Sequence, residues 1–155
     1  MTEHKRKANR GAIKNECVFC AIQSSPADVT RVFEDDDTFV FLDHKPLFPG
    51  HCLLITKRHV ATLADLPPSL VHVVFDNVRI VSMAVQRAMN AEGTFVAINN
   101  TVSQSVPHFH VHIVPRRKRD GLRGFFWPRR KYGSGEEAAA FAGAIRKEIE
   151  RLKSA

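Results

Sequence analysis

Apolar positions recur along the chain at two spacings, and those spacings divide it into short strands and two helices. Over residues 30–43, "TRVFEDDDTFVFLD", two β-rich runs flank Asp35, Asp36 and Asp37, the pattern of a hairpin. "HCLLITKR", 51–58, reads as a third strand and "TFVAIN", 94–99, as a fourth. Between them Leu70, Val74, Val78, Val81 and Val85 repeat at helical spacing, which predicts a long helix over 69–91. Ser69 is placed to cap its start and Gly93 follows its end. A closing helix is predicted over 136–152, with Phe141, Ile145, Ile149 and Leu152 on one face. Glu136 and Glu137 begin it and Arg146, Lys147 and Arg151 lie near its end, matching the helix dipole. The order of elements implies an α+β domain with a mainly antiparallel sheet. "CVFCAIQ", 17–23, reads as a short turn or helical piece. No internal repeat or second domain is seen.

The stretch "VPHFHVHIVPRR", 106–117, shows the strictest alternation. Residues two apart on a strand share a face, so Phe109, Val111 and Ile113 point to a core. His108, His110 and His112 then line the opposite face. Pro115 is expected to end the strand, because it cannot donate to a ladder. The outer two imidazoles are roughly 13 Å apart along such a strand. A single ion, which needs each ligand nitrogen within about 2.1 Å, does not suit a straight row. An elongated anion such as a phosphate chain does.

The chain has 155 residues, the size of one domain, and a net charge of +7. That sign suits an anionic partner such as a nucleotide or polyphosphate. Much of the excess is in "MTEHKRKANRGAIK" at the start and "RRKRDGLRGFFWPRRK" after the histidine strand, so solvated ends explain the charge equally well. Residues 1–16 are read as a disordered basic arm and 17–155 as the single domain. No run is read as spanning a membrane and no secretory signal is present, which predicts a cytoplasmic protein. The three cysteines do not suggest a disulfide framework, and Cys17-Val-Phe-Cys20 points to metal or redox chemistry.

The pattern His108-Phe-His110-Val-His112-Ile-Val114, three alternate histidines followed by two apolar residues, resembles the histidine triad (HIT) family of nucleotide hydrolases and transferases. "CVFCAI", "FVFLDHKPLFPGHCLLITKRHV", "AINNTVSQSVPHFHVHIVPR" and "GFFW" follow in the expected order and cover roughly residues 17–127. Within the family the chain is most similar to the bacterial, Hint-like branch that carries Cys-x-x-Cys near its start. The resemblance implies the HIT-like α+β fold, a homodimer, and substitution at the α-phosphorus of a nucleotide.

Carried onto this sequence, the resemblance makes His110 the nucleophile that forms a nucleotidyl-imidazole, and gives His112 a role on the non-bridging oxygens or the leaving group. Asn99, Gln104 and Ser105 bind phosphate oxygens through their side chains and Ser103 through its backbone N–H. Many family members have glycine before the Gln-Ser pair, where this chain has Val102-Ser103. Asp43 accepts hydrogen bonds from ribose hydroxyls, and Phe19, Ile22, Phe41 and Leu42 wall the base pocket. Cys17, Cys20, His59 and His108 bind a structural zinc ion, a donor set that suits tetrahedral coordination. Trp127 shapes the leaving-group side, with Arg123, Arg129, Arg130 and Lys131 on the distal phosphates or in dimer packing. His51 is read as a turn histidine, His44 and His72 as surface residues, and Cys52 as a small buried hydrophobe.

The expected activity is hydrolysis of dinucleoside polyphosphates or nucleoside phosphoramidates, with adenosine (AMP-containing) nucleotides as substrates. A nucleotidyltransferase or phosphorylase on the same substrates is the alternative, as is a non-catalytic nucleotide-binding module. Removal of adenylate from DNA ends is disfavoured because no DNA-binding zinc finger follows the domain; neither nucleic acid nor an organic cofactor is expected.

Overall fold

The computed structural model describes residues 17–25, 29–122 and 130–154. The first of two compact units ends at Asp120. It contains α1 (Val18–Ser24), β1 (Arg31–Glu34), β2 (Thr38–Leu42), β3 (Cys52–Thr56), α2 (Pro68–Ala88), β4 (Gly93–Ala97) and β5 (His110–Arg116). The sheet is antiparallel throughout, in the order β1-β2-β3-β5-β4. The second unit holds α3 (Gly135–Ser154). Ser134 accepts from the Glu137 N–H and the Glu137 carboxylate from the Gly133 N–H, a capped start. The apolar stripe Phe141, Ile145, Ile149 and Leu152 is exposed.

Alternation along the central strands builds two cores, one on each face of the sheet. Val40, Cys52, Leu54, Val111 and Ile113 face α2, which meets them with Val74, Val78, Val81 and Val85. Phe39, Phe41, Leu53 and Ile55 face the other way, where Phe19 of α1 closes over them. The central β3 is buried at every position, as a strand covered on both faces must be. α2 has the length and apolar content to cross a membrane, yet one stripe of it is packed on the sheet. Asn77 of the same helix donates to the Asp35 carboxylate at 2.6 Å and to the Thr38 hydroxyl at 3.0 Å, tying α2 to the β1–β2 turn.

Most elements shift by one or two residues at their ends from the sequence reading, β3 to 52–56, β4 to 93–97 and α3 to 135–154, and the shifts in α2 and β5 have a physical reason. α2 begins at Pro68, with Pro67 rather than Ser69 in the capping position; the first turn needs no N–H from proline. It ends at Ala88, short of residue 91. β5 runs through Pro115 to Arg116. The Glu92 N–H donates to the Arg116 carbonyl, so the polar groups of Arg116 face β4 and those of Pro115 face the β3 side. There the β3 pairing has already ended at Cys52↔Ile113, and the missing N–H leaves no ladder bond unmade.

Candidate active site and metal centre

β5 begins at His110, so His108 lies in the bend before the strand and the row of three histidines divides. His110 and His112 stay on the α1 face, with ring centroids 5.0 Å apart. They line a cavity of about 810 Å³ with Phe19, Ile22, Phe41, Leu42, Asp43 and Ser105. Phe19 stands edge-on to Phe41 at 5.8 Å and to His110 at 5.2 Å, which gives the cavity an aromatic wall. A second hollow of about 380 Å³, beside Ile80, Ala84 and Met89, has no charged residue in its lining. It offers packing but no acid–base chemistry.

Hydrogen-bond partners set the tautomers of the cavity histidines. His110 Nδ1 lies 2.6 Å from the His108 carbonyl oxygen, which can only accept. The proton is therefore on Nδ1, and His110 Nε2 keeps a free lone pair. The Leu47 N–H, which can only donate, lies 3.2 Å from His51 Nδ1. His51 Nε2 then carries a proton and donates it to His112 Nδ1 at 3.0 Å. That leaves His112 with an N–H at Nε2. An unprotonated ring nitrogen and an N–H donor thus sit on neighbouring rings.

Sequence reading put His51 in a turn, and its approach to β3 is a turn: Gly50 has φ +91, and a Cβ there would come within 2.6 Å of the Met89 side chain. The His51 ring, however, is buried and bonded to His112. No local signal marks this role: His51 shares the face of Leu53, two residues on, and only the pairing of Leu53 with His112 brings the two rings together. Burial pushes the His112 imidazole down to about 4, helped by His110 and His51 and opposed by Asp43. Burial likewise lowers His51, against the pull of Asp43.

Asp43 is held at the cavity by two devices. Its Oδ1 accepts the Lys45 N–H at 2.8 Å, and its backbone N–H donates to the His51 carbonyl at 2.9 Å. Asp43, His51 and His112 are close enough to hold an ion, but the hydrogen bonds of both imidazoles already account for this grouping. In the 99–105 loop, only Ser105 lines the cavity. Gln104 receives the Thr101 N–H at 2.9 Å and donates to the Ala61 carbonyl at 2.6 Å. Asn99 donates to the Ser103 carbonyl at 3.2 Å. These two amides hold the loop's shape. Thr101 and Ser103 have φ of +66 and +60, so Ser103 takes a backbone conformation suited to glycine. Trp127, Arg123 and Arg129 lie outside the described residues.

The other four sequence-predicted residues come together beside the cavity. Cys17, Cys20, His59 and His108 present donor atoms within 4.8 Å of one another, a set that could hold a metal ion. Cys17 Sγ is 3.4 Å and Cys20 Sγ 3.6 Å from His108 Nδ1, and Cys20 Sγ is 3.4 Å from His59 Nδ1. The two Nδ1 atoms are 3.2 Å apart. Tetrahedral zinc with its usual bond lengths requires about 3.6 Å between S and N donors and about 3.3 Å between N donors. The donor set fits. His108 Nε2–H donates to the Thr56 carbonyl at 2.8 Å, which turns the Nδ1 lone pair toward the cluster.

The HIT domain family model matches residues 24–119. The chain is 36% identical over 118 residues to the adenylylsulfatase HINT3 of Arabidopsis thaliana, covering 75% of this chain and 60% of that protein. It is 42% identical over 82 residues to an asymmetrical bis(5'-nucleosyl)-tetraphosphatase of Schizosaccharomyces pombe, covering 52% of this chain and 45% of that one. It thus spans less than two thirds of either relative. A zinc-bound histidine triad family protein from Mycobacterium smegmatis superposes with a TM-score of 0.64 at 34% identity, covering 87% of this chain and 96% of that chain. The family model falls on the sheet and the histidine strand, and the fold agrees with a solved member; the chain belongs to the HIT family.

Proposed function

We propose that the protein is a nucleotide hydrolase acting at the α-phosphorus of dinucleoside polyphosphates or nucleoside phosphoramidates, with AMP-containing nucleotides as substrates. The observation that carries this reading is the pair of fixed tautomers, a free lone pair on His110 Nε2 beside an N–H on His112 Nε2. The two named relatives are an adenylylsulfatase and a tetraphosphatase, both of which suit the same chemistry.

His110 Nε2 attacks the α-phosphorus, the bond from phosphorus to the leaving oxygen or nitrogen breaks with its electron pair going to the leaving atom, the neutral His112 donates a hydrogen bond from Nε2–H to the negative charge that grows there, and the leaving atom takes its proton from solvent. The His108 carbonyl stabilises the positive charge that grows on the His110 ring through its bond to Nδ1–H. Water then attacks phosphorus and gives its proton to solvent, and the P–N bond breaks with its electron pair returning to His110 Nε2. Asp43 takes the ribose hydroxyls, Phe19, Ile22, Phe41 and Leu42 enclose the base, and Ser105 contacts the phosphate. Asn99, Gln104 and Ser103 act by shaping the loop that presents Ser105. Trp127 serves the leaving-group side.

Zinc at Cys17, Cys20, His59 and His108 is structural in this reading, since all four tetrahedral positions are protein donors. The protein is a homodimer: β4 is an edge strand, and Val96 on it and Val71, Phe75 and Met83 on α2 are exposed. A reducing, cytoplasmic location suits three free cysteines.

The test is intact-protein mass spectrometry without acid after incubation with diadenosine tetraphosphate or an adenosine phosphoramidate. Wild type acquires an adenylyl adduct and releases AMP, and His110→Ala does neither. A wild-type protein that binds these nucleotides but neither labels nor turns them over is a binding module instead. Release of a nucleoside diphosphate in phosphate buffer identifies a phosphorylase.

A further inference from the structure

The metal cluster and the nucleotide cavity share two structural parts. His108 gives its ring nitrogen to the cluster and its main-chain carbonyl to His110 Nδ1. α1 is divided in the same way. Cys17 and Cys20, at its start, turn to the cluster, while Phe19 and Ile22 line the cavity. The Phe19 ring is edge-on to His108 at 5.9 Å and to His110 at 5.2 Å, so one side chain touches both sites.

Among the described residues, α1 has few other means of holding its place. Seven residues are too few for a self-sustaining helix. Only Phe19 of it is buried, and Gln23 adds a 3.3 Å bond to the Thr56 carbonyl. His59 is exposed, so an ion in the cluster can exchange with solution.

We infer that divalent-metal binding at Cys17, Cys20, His59 and His108 and nucleotide binding in the cavity are positively coupled through Phe19 and His108. The inference rests on the nucleotide reading above. Metal bonds to Cys17 and Cys20 remove the freedom of α1, so a nucleotide arriving later orders less chain and binds more tightly. Linkage makes the effect reciprocal, with a factor of about 5–150 typical of coupled sites. The metal thus acts on the cavity without touching the nucleotide.

The experiment uses the full chain, AMP and zinc. Calorimetry gives the AMP affinity of chelator-treated and zinc-loaded protein, and competition with a chromophoric chelator gives the zinc affinity with and without AMP. Zinc is expected to tighten AMP at least about fivefold, and AMP to tighten zinc by the same factor. His59→Cys keeps four donors and keeps the coupling. Phe19→Leu keeps an apolar wall and one zinc per chain but brings the factor toward one. Imidazole 1H–15N spectra should show the His110 Nδ1–H signal sharpening when zinc is added alone. Equal AMP affinity with and without bound zinc overturns the inference and leaves the nucleotide reading standing. Absence of AMP binding to zinc-loaded protein removes the nucleotide reading and the inference with it. Failure to bind zinc removes the metal centre. Loss of the far-UV sheet signal on chelation also overturns it, because the linkage is then global folding.

Discussion

His51 Nε2 lies 3.0 Å from His112 Nδ1, across sixty-one residues of chain, and completes a relay that starts at the Leu47 backbone N–H. A fixed main-chain donor thereby decides which nitrogen of His112 carries the proton. His51→Ala frees His112 to adopt the other tautomer and turns a lone pair toward the leaving group. We expect kcat to fall about 100- to 1000-fold, the loss typical of one transition-state hydrogen-bond donor, with KM changed less than about twofold. Steady-state kinetics on a folded variant checks this. His51→Gln, which can still donate through its amide, should recover part of the loss. A KM effect as large as the kcat effect places His51 in nucleotide binding instead.

His112 carries a pH dependence of stability. Burial, with the neighbouring imidazoles of His110 and His51, holds it down to about 4 against an ordinary 6.5. Between those values the unfolded chain binds a proton that the folded chain refuses. Stability is therefore full above pH 6.5 and declines as pH falls toward 4, by at most about 3 kcal/mol from this group. Urea denaturation of chelator-treated protein, which removes any contribution from metal release, should show a falling midpoint over this window. His112→Asn should flatten the fall. A wild-type midpoint constant from pH 6.5 to 4 contradicts the buried neutral imidazole.

The histidine strand and the four-donor cluster were legible for different reasons. Period-two alternation is local, so Phe109, Val111 and Ile113 could be assigned to one core without knowing their neighbours. Cys17, Cys20, His59 and His108 were reached through the resemblance, and the geometry then supplied distances that no spacing contains. His51 was missed because its role depends on antiparallel register between β3 and β5, a long-range relation. Pro115 was misjudged for a related reason: a proline ends a strand only where the missing N–H has a partner to lose. The loop amides Asn99 and Gln104 look alike in sequence whether they face a ligand or their own backbone.

Ser103 stands where the loop demands a left-handed backbone, with φ +60. A Cβ in that region costs about 1–2 kcal/mol, and glycine recovers it while losing about 0.5–1 kcal/mol to chain entropy. Ser103→Gly should raise stability by about 0.5–1 kcal/mol, read as a small increase in the urea midpoint. The Thr101 and Gln104 bonds should hold the loop in the same shape, so nucleotide affinity should be unchanged. A gain in stability with a loss of affinity assigns the Ser103 hydroxyl to the phosphate.

Metal uptake at the four-donor cluster must displace protons. Burial first, and then the neighbouring Cys17 sulfur, push the Cys20 thiol up to about 11. At neutral pH that thiol is protonated, and a metal binds only as the proton leaves. Each proton displaced makes the apparent affinity rise tenfold per pH unit, so zinc affinity should climb at least about tenfold from pH 7 to pH 8. Chelator competition at both values measures it. Cys20→Ser removes a thiolate ligand, lowers the affinity and reduces the slope by about one proton. A slope that Cys20→Ser leaves unchanged means that Cys20 does not ligate, and the ion would then rest on Cys17 and the two imidazoles.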